Sequence, residues 1–168
     1  NYRVNHGANV LGYVSEVNNN DLKKDDYYRL GAIIGRQGVE KSYEKQLRGI
    51  KGKRFLQKDR FNRILGAYKE GVYDVAPTPA KNITLTLDAQ LQAYGEKLMQ
   101  NKRGGIVAIE PATGEVLALV NAPSYDPSIL VGRKRSYNYR KLANDTLAKP
   151  LFDRGLLAQY PPGSPFKT

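Results

Sequence analysis

The clearest hydrophobic pattern lies in the second half of the chain. Ile83-Thr84-Leu85-Thr86-Leu87 alternates apolar and polar residues with the period of two expected of a half-buried strand. Asp88 follows as a candidate N-cap, and Leu91, Tyr94 and Leu98 recur at helical spacing. The spacing predicts a helix from Ala89 to about Gln100 with those three side chains as its buried stripe. Gly104-Gly105 closes that element, and Ile106-Val107-Ala108-Ile109-Glu110 is apolar on both faces, as a central strand would be. Pro111-Ala112-Thr113-Gly114 supplies a turn, with proline where φ near −65° is wanted and glycine where φ is positive. Glu115 to Val120 returns as a second strand, so the unit predicted is a β-hairpin packed on the preceding helix.

The first half is patterned less regularly. Val10 to Val17 is rich in β-branched and aromatic residues and stops at Asn18-Asn19-Asn20-Asp21, which predicts a strand followed by a turn. Leu30-Gly31-Ala32-Ile33-Ile34-Gly35 is an apolar stretch punctuated by glycine, and Val39, Tyr43 and Leu47 share one face of a helix that Gly49 and Gly52 end. From Lys53 to Tyr73 short apolar pieces sit in a basic background, as in twisted edge strands joined by turns. Pro77-Thr78-Pro79 excludes helix and disfavours a paired strand, so a domain boundary is expected there, dividing the chain into 1–80 and 81–168. Asn121 to Pro127 reads as an ordered loop, and the polar, basic stretch that follows to Lys149 gives little hydrophobic signal and is expected to be partly mobile. The fold class is therefore α+β: a mixed domain of twisted strands and short helices, then a strand, helix and hairpin.

Composition adds limits. At 168 residues and 40% hydrophobic content the chain can bury a core as one ordinary domain or two small ones. No apolar run approaches the roughly 20 residues of a membrane span, and nothing at the start resembles a leader. Cysteine is absent, which excludes disulfides and thiolate metal sites. His6 is the single histidine and reads as a solvated loop residue, so neither a histidine-based triad nor a zinc site is expected, and no cofactor is implied. The net charge of +11 is concentrated in Lys51–Arg63 and in Arg133–Lys141, the second interleaved with Tyr137 and Tyr139. Such clusters suit a phosphate backbone, anionic lipid or an anionic wall polymer, or else form a solvated basic surface.

Candidate chemistry gathers at Tyr160-Pro161-Pro162-Gly163-Ser164-Pro165-Phe166-Lys167. Residues three apart lie on one side of a helical turn, so the amine of Lys167 could reach the hydroxyl of Ser164, a nucleophile beside its base. The prolines and Gly163 give a turn, Ser164 is a good N-cap and Pro165 suits the first helical position, which puts the hydroxyl where unpaired backbone N–H groups favour an oxyanion. A bare S-x-x-K says little, since Ser42-Tyr43-Glu44-Lys45 matches as well and reads as an amphipathic helix with a solvated lysine.

Taken in order, these segments resemble a penicillin-binding protein of class B, the cell-elongation type. Thr84 to Gln92, Gly105 to Ala118, Pro123-Ser124-Tyr125-Asp126-Pro127 and Tyr160 to Lys167 are similar to the beginning of its transpeptidase domain, which has a serine β-lactamase-like fold. Gly35 to Glu44, Leu47-Arg48-Gly49 and Val10 to Val14 resemble its non-catalytic pedestal, also called the dimerisation domain. The resemblance implies that Ser164 is the acyl-forming serine and Lys167 the residue that manages its proton, with Pro165 standing where the family commonly has threonine. It also implies S-x-N and K-T-G or K-S-G elements after the nucleophile, and these are absent from the 168 residues. Ser136-Tyr137-Asn138 has suitable letters but precedes Ser164, the wrong order.

The expectation is a truncated piece of a peptidoglycan D,D-transpeptidase, inactive by itself and serving as scaffold. The intact parent would take peptidoglycan stem peptides and β-lactams and lie on the periplasmic side of the bacterial inner membrane, while this piece, without the anchor, would be soluble. Expected partners through the pedestal are a polytopic glycan polymerase and a rod-shape scaffold protein; a homodimer is left open and no nucleic acid is implied. The residues alone also leave open a basic polyanion-binding module and a free-standing Ser-Lys hydrolase.

Overall fold

A computed structural model describes residues 4–161, 163 and 164 of the chain. The described residues form an α+β structure with three two-stranded antiparallel sheets. Residues Asn1–Ser42 and Leu85–Thr168 belong to one compact unit and Tyr43–Thr84 to another.

The centre of the first unit is the hairpin of β5 (Gly104–Ile109) and β6 (Val116–Ala122), paired from Gly104↔Ala122 to Ile109↔Val116. Its turn is as predicted: Gly114 has φ +78° and its N–H donates to the Glu110 carbonyl at 2.8 Å. Helix α5 (Ala89–Leu98) also starts as predicted, with the Asp88 carboxylate accepting from the N–H groups of Gln90 and Leu91.

The buried stripe of α5 is not the predicted one. Leu91, Tyr94 and Leu98 are exposed, and the buried residues are Gln92 and Gly95. The reason is the shape and hydrogen-bonding demand of β6. A Cβ on Gly95 would sit 2.6 Å from Cγ2 of the fully buried Val120, so only a glycine lets the helix approach this closely. Beside it the Gln92 amide behaves as a strand residue: its Oε1 accepts from Leu119 N–H at 2.9 Å and its Nε2 donates to the Leu119 carbonyl at 3.0 Å. The same edge of β6 receives Asp88 N–H on the Leu117 carbonyl at 2.9 Å and the Thr86 hydroxyl on the Val116 carbonyl at 2.8 Å.

The stretch 83–87 does not become a regular strand, though Leu85 and Leu87 are half-buried and Thr84 and Thr86 exposed, in line with the alternation. The strand enclosed on both edges is β6, whereas β5 pairs only with β6 among the described residues and exposes Val107 and Ile109. An apolar run does not distinguish these two positions.

Residues near the start pack on this half. Ala8, Tyr125 and Leu130 form a buried cluster with Tyr13, Ile129, Leu142 and Leu151 against it. Asn9 donates to the Pro150 carbonyl at 3.1 Å. The predicted strand 10–17 is shorter: α1 (Ala8–Leu11) runs to Gly12, and β1 (Val14–Glu16) then pairs with β2 (Ile33–Gly35). Gly12 has φ +82° and a Cβ there would fall 1.8 Å from the Gln37 carbonyl oxygen, so the chain crosses itself at this glycine. Asn18 to Asp21 is not a turn but the start of α2 (Asn19–Lys24), because Asn18 and Asp21 cap each other's backbone N–H groups.

Helix α3 (Gly38–Ser42) closes the first stretch, and the backbone breaks at Tyr43 (φ −110°, ψ 21°), so the single helix predicted over 39–47 is two. The basic stretch after Asn121–Pro127 is also ordered, into a 3-10 turn (Pro127–Leu130) capped by Asp126 and a ten-residue helix. That helix buries none of its residues, which is why no apolar stripe announced it.

In the second unit, α4 (Glu44–Arg48) ends at Gly49 as expected, and β3 (Leu56–Lys58) pairs with β4 (Ile64–Ala67). None of its residues is buried. Thr78 pairs with Ile50 through both its N–H and its carbonyl at 2.9 Å. The paired residue lies between the two prolines, so their missing donors cost the bridge nothing.

Candidate functional site

The chain that leads towards Ser164 is anchored on the hairpin at residues 154–157. After α6 (Arg135–Asn144), the loop 145–153 is gathered by Arg154, a residue only 6% exposed. Its Nη2 donates to the Ala148 carbonyl at 2.7 Å and its Nη1 to that of Lys149 at 3.1 Å. A buried guanidinium holds several carbonyls in a fixed planar fork of five donors, a geometry the three donors of a lysine ammonium do not reproduce. Asp153 caps the short helix α7 (Arg154–Leu157) by accepting from Leu156 N–H.

Helix α7 lies against the hairpin at two glycines. A Cβ on Gly105 would meet Gly155 Cα at 3.0 Å, and one on Gly155 would meet Leu119 Cδ1 at 2.6 Å. Gly155 N–H donates to Asn121 Oδ1 at 2.7 Å. Nine residues later Ser164 is exposed, just after Gly163 with φ +63°. The turn expected over Pro161-Pro162-Gly163 includes Pro162, which lies outside the described residues. Lys167 and Pro165 lie outside the described residues.

The competing Ser42 and Lys45 fall on either side of the break at Tyr43, not on one continuous helix. Asn138 donates to the Ile129 carbonyl at 2.7 Å, a structural bond that ties α6 to the preceding turn and uses the one S-x-N sequence present. His6 is half-buried, not solvated, and its Nε2 is buried with no hydrogen-bond partner among the described residues. Among the described residues no cluster of three His, Cys, Asp or Glu side chains could hold a metal, and no helix is long and apolar enough to cross a membrane.

Sequence reading missed a second feature, a cleft of about 490 Å³ between β1 and the start of α6. Tyr13 and Tyr139 form its aromatic wall, with ring centroids 5.2 Å apart and hydroxyls 3.3 Å apart. Arg36 forms another wall. It binds Asp21 through both Nη atoms at 3.0 and 2.6 Å and reaches the Ser15 hydroxyl at 2.5 Å. The Arg36 hydrogen bonds, with the Asn18 N–H, hold the Asp21 carboxyl below its usual range. Only the tyrosines between arginines in 133–141 hinted at this site, and residues more than a hundred positions apart carry no local signal of their meeting.

Residues 1–85 match the Penicillin-binding Protein dimerisation domain, and residues 104–168, which include Ser164, match the Penicillin binding protein transpeptidase domain. The chain belongs to the penicillin-binding proteins. Among relatives of this family, it is 41% identical over 166 residues to the peptidoglycan D,D-transpeptidase MrdA of Salmonella typhimurium, covering 95% of this chain and 26% of that one. Its fold matches the penicillin-binding protein PBP2 of Helicobacter pylori, solved in complex with MreC, with TM-score 0.74 and 32% identity over 89% of this chain and 27% of the other. It also matches PBP2 of Pseudomonas aeruginosa, solved in complex with WCK 5153, with TM-score 0.72 and 36% identity over 95% of this chain and 31% of the other. The chain thus spans about a quarter of the length of the penicillin-binding protein MrdA, and the elongation-type resemblance read from its motifs agrees with these matches.

Proposed function

We propose that the whole protein is a peptidoglycan D,D-transpeptidase, in which residues 1–80 form the pedestal and residues 81–168 open the catalytic domain. The observation that carries this reading is the order of the two family matches, with Ser164 inside the transpeptidase match. In the reaction, the Lys167 amine takes the proton of the Ser164 hydroxyl as its oxygen attacks the carbonyl of the D-Ala-D-Ala bond in a stem peptide. The terminal D-Ala leaves with a proton and an acyl-serine ester remains. An acceptor amine on a neighbouring strand then attacks that ester, forming the cross-link and returning the proton to the serine oxygen. Backbone N–H groups at the start of a helix are the kind of donor such an oxyanion needs.

A β-lactam would acylate the same serine. The pedestal would receive a rod-shape scaffold protein, as suggested by the complex of H. pylori PBP2 with MreC, and a polytopic glycan polymerase. The whole protein would act on the periplasmic side of the inner membrane.

Fluorescent penicillin tests the assignment. The whole protein is expected to take up one label per chain, and Ser164→Ala to abolish it; undiminished labelling of Ser164→Ala removes Ser164 from the mechanism. The 168 residues alone are expected to stay unlabelled, since they contain no K-T-G or K-S-G triplet.

A further inference from the structure

We propose that the cleft between β1 and α6 binds an oxyanion carried on a sugar ring, that is, a carboxylated or phosphorylated saccharide. This does not depend on the acyl-transfer reading of Ser164, and the cleft includes none of the residues given a part in that reaction.

The cleft combines two surfaces that such a ligand requires. Tyr13 and Tyr139 give it an aromatic wall against which the apolar face of a ring can lie, and their hydroxyls lie close together at one end. The Tyr13 hydroxyl donates to that of Tyr139, which leaves the Tyr139 O–H to donate to a ligand.

Three guanidiniums complete the lining: Arg36, Arg135 and Arg140. Arg36 is already matched by Asp21 and acts as a fixed wall. Arg135 and Arg140 have no carboxylate partner among the described residues; Arg140 Nε donates a long bond of 3.4 Å to the Ser136 carbonyl. Planar guanidiniums match carboxylate and phosphate oxygens in pairs.

The surroundings favour an anion. Helix α6 begins with Arg135 immediately after Arg133 and Lys134, has no acidic residue in its first turn and no side-chain cap. Positive side chains at the positive end of a ten-residue helix repel it. An oxyanion held by Arg135 relieves that repulsion. Glu16 also lines the cleft. Its carboxylate opposes a bare anion but accepts hydroxyl donors, which favours a hydroxylated ring over a simple phosphate ion. This use gives a role to Arg135, Tyr139 and Arg140 of the basic stretch 133–141, which the acyl-transfer reading leaves without one.

Nuclear magnetic resonance titration of the 15N-labelled chain tests the proposal, with glucuronate, glucose 6-phosphate, glucose and inorganic phosphate as separate probes. Glucuronate or glucose 6-phosphate is expected to give saturable shifts centred on Tyr13, Arg135, Ser136, Tyr139 and Arg140, and the tighter of the two identifies the oxyanion. Glucose and phosphate are expected to bind at least about tenfold more weakly, since each lacks one half of the recognition. The variant R135Q/R140Q is expected to weaken the charged sugar about tenfold or more, and R140Q alone, at an exposed position, gives the same direction without risk to the fold. Shifts that never saturate, shifts spread equally over the basic residues 51–63, phosphate binding as tight as the sugar phosphate, or unchanged affinity in R140Q would each overturn the proposal.

Discussion

Gln92 shows how much one side chain can decide. A buried glutamine whose amide satisfies both polar groups of Leu119 cannot be replaced by an apolar residue of similar size without stranding a donor and an acceptor. Gln92→Leu is expected to lower the unfolding free energy by roughly 2–4 kcal/mol, read from denaturant curves, since each buried unpaired group costs about 1–3 kcal/mol. Tyr125 carries a pH dependence. Burial, reinforced by Tyr139, pushes its phenol from 10.0 up to about 12. A group raised in the folded state contributes stability that is complete below its unfolded value and is lost as pH rises through the folded one. Stability is therefore expected to fall between pH 10 and about 12, and Tyr125→Phe to flatten that part of a pH-resolved unfolding series. Both roles were invisible in the sequence. Gln92 reads as a surface residue beside Leu91, and Tyr125 is one of twelve tyrosines.

At the scale of elements, caps and turns were legible because their determinants are local. Asp88 capping α5, Gly114 in the hairpin turn and Gly49 ending α4 all stand where the sequence placed them. What the periodicity did not reveal was which face of an element would be covered. Leu91, Tyr94 and Leu98 made the better apolar stripe, yet the face that meets β6 is the one that carries Gly95. Gly95→Ala tests this directly. On helix propensity it should stabilise by about 1 kcal/mol, but the new methyl would meet a buried, β-branched Val120 at 2.6 Å. A net loss of about 1–3 kcal/mol is expected from overpacking, checked by the thermal midpoint. The same limit explains α6, whose ten residues lack any buried member and so leave no hydrophobic trace.

Across the whole molecule, the compact units do not follow chain order: the first 42 residues pack with those after Thr84. No local pattern could announce that, because it depends on contacts such as Ala8 with Tyr125 and Asn9 with Pro150. The proposed Ser164 site was legible only as a motif; the structure adds the Arg154 and Gly155 anchorage earlier in the chain, while Lys167 lies outside the described residues. The two units also differ in what they bury. Tyr43–Thr84 buries no residue, whereas the other unit contains Val120 and Ala8 at 0% exposure. Amide hydrogen exchange is therefore expected to be faster throughout β3 and β4 than in β6, at any pH where both are folded. Equal protection in the two would show that residues 43–84 are stabilised by something other than burial.

With the β6 flank occupied by the Gln92 carboxamide and the backbone of Asp88, the hairpin can recruit no further strand on that side. Extension of the sheet is thereby one-directional. Any additional extended segment, whether from the same polypeptide or from outside it, has to dock alongside Val107, whose N–H and carbonyl face away from β6 and have no strand partner among the described residues.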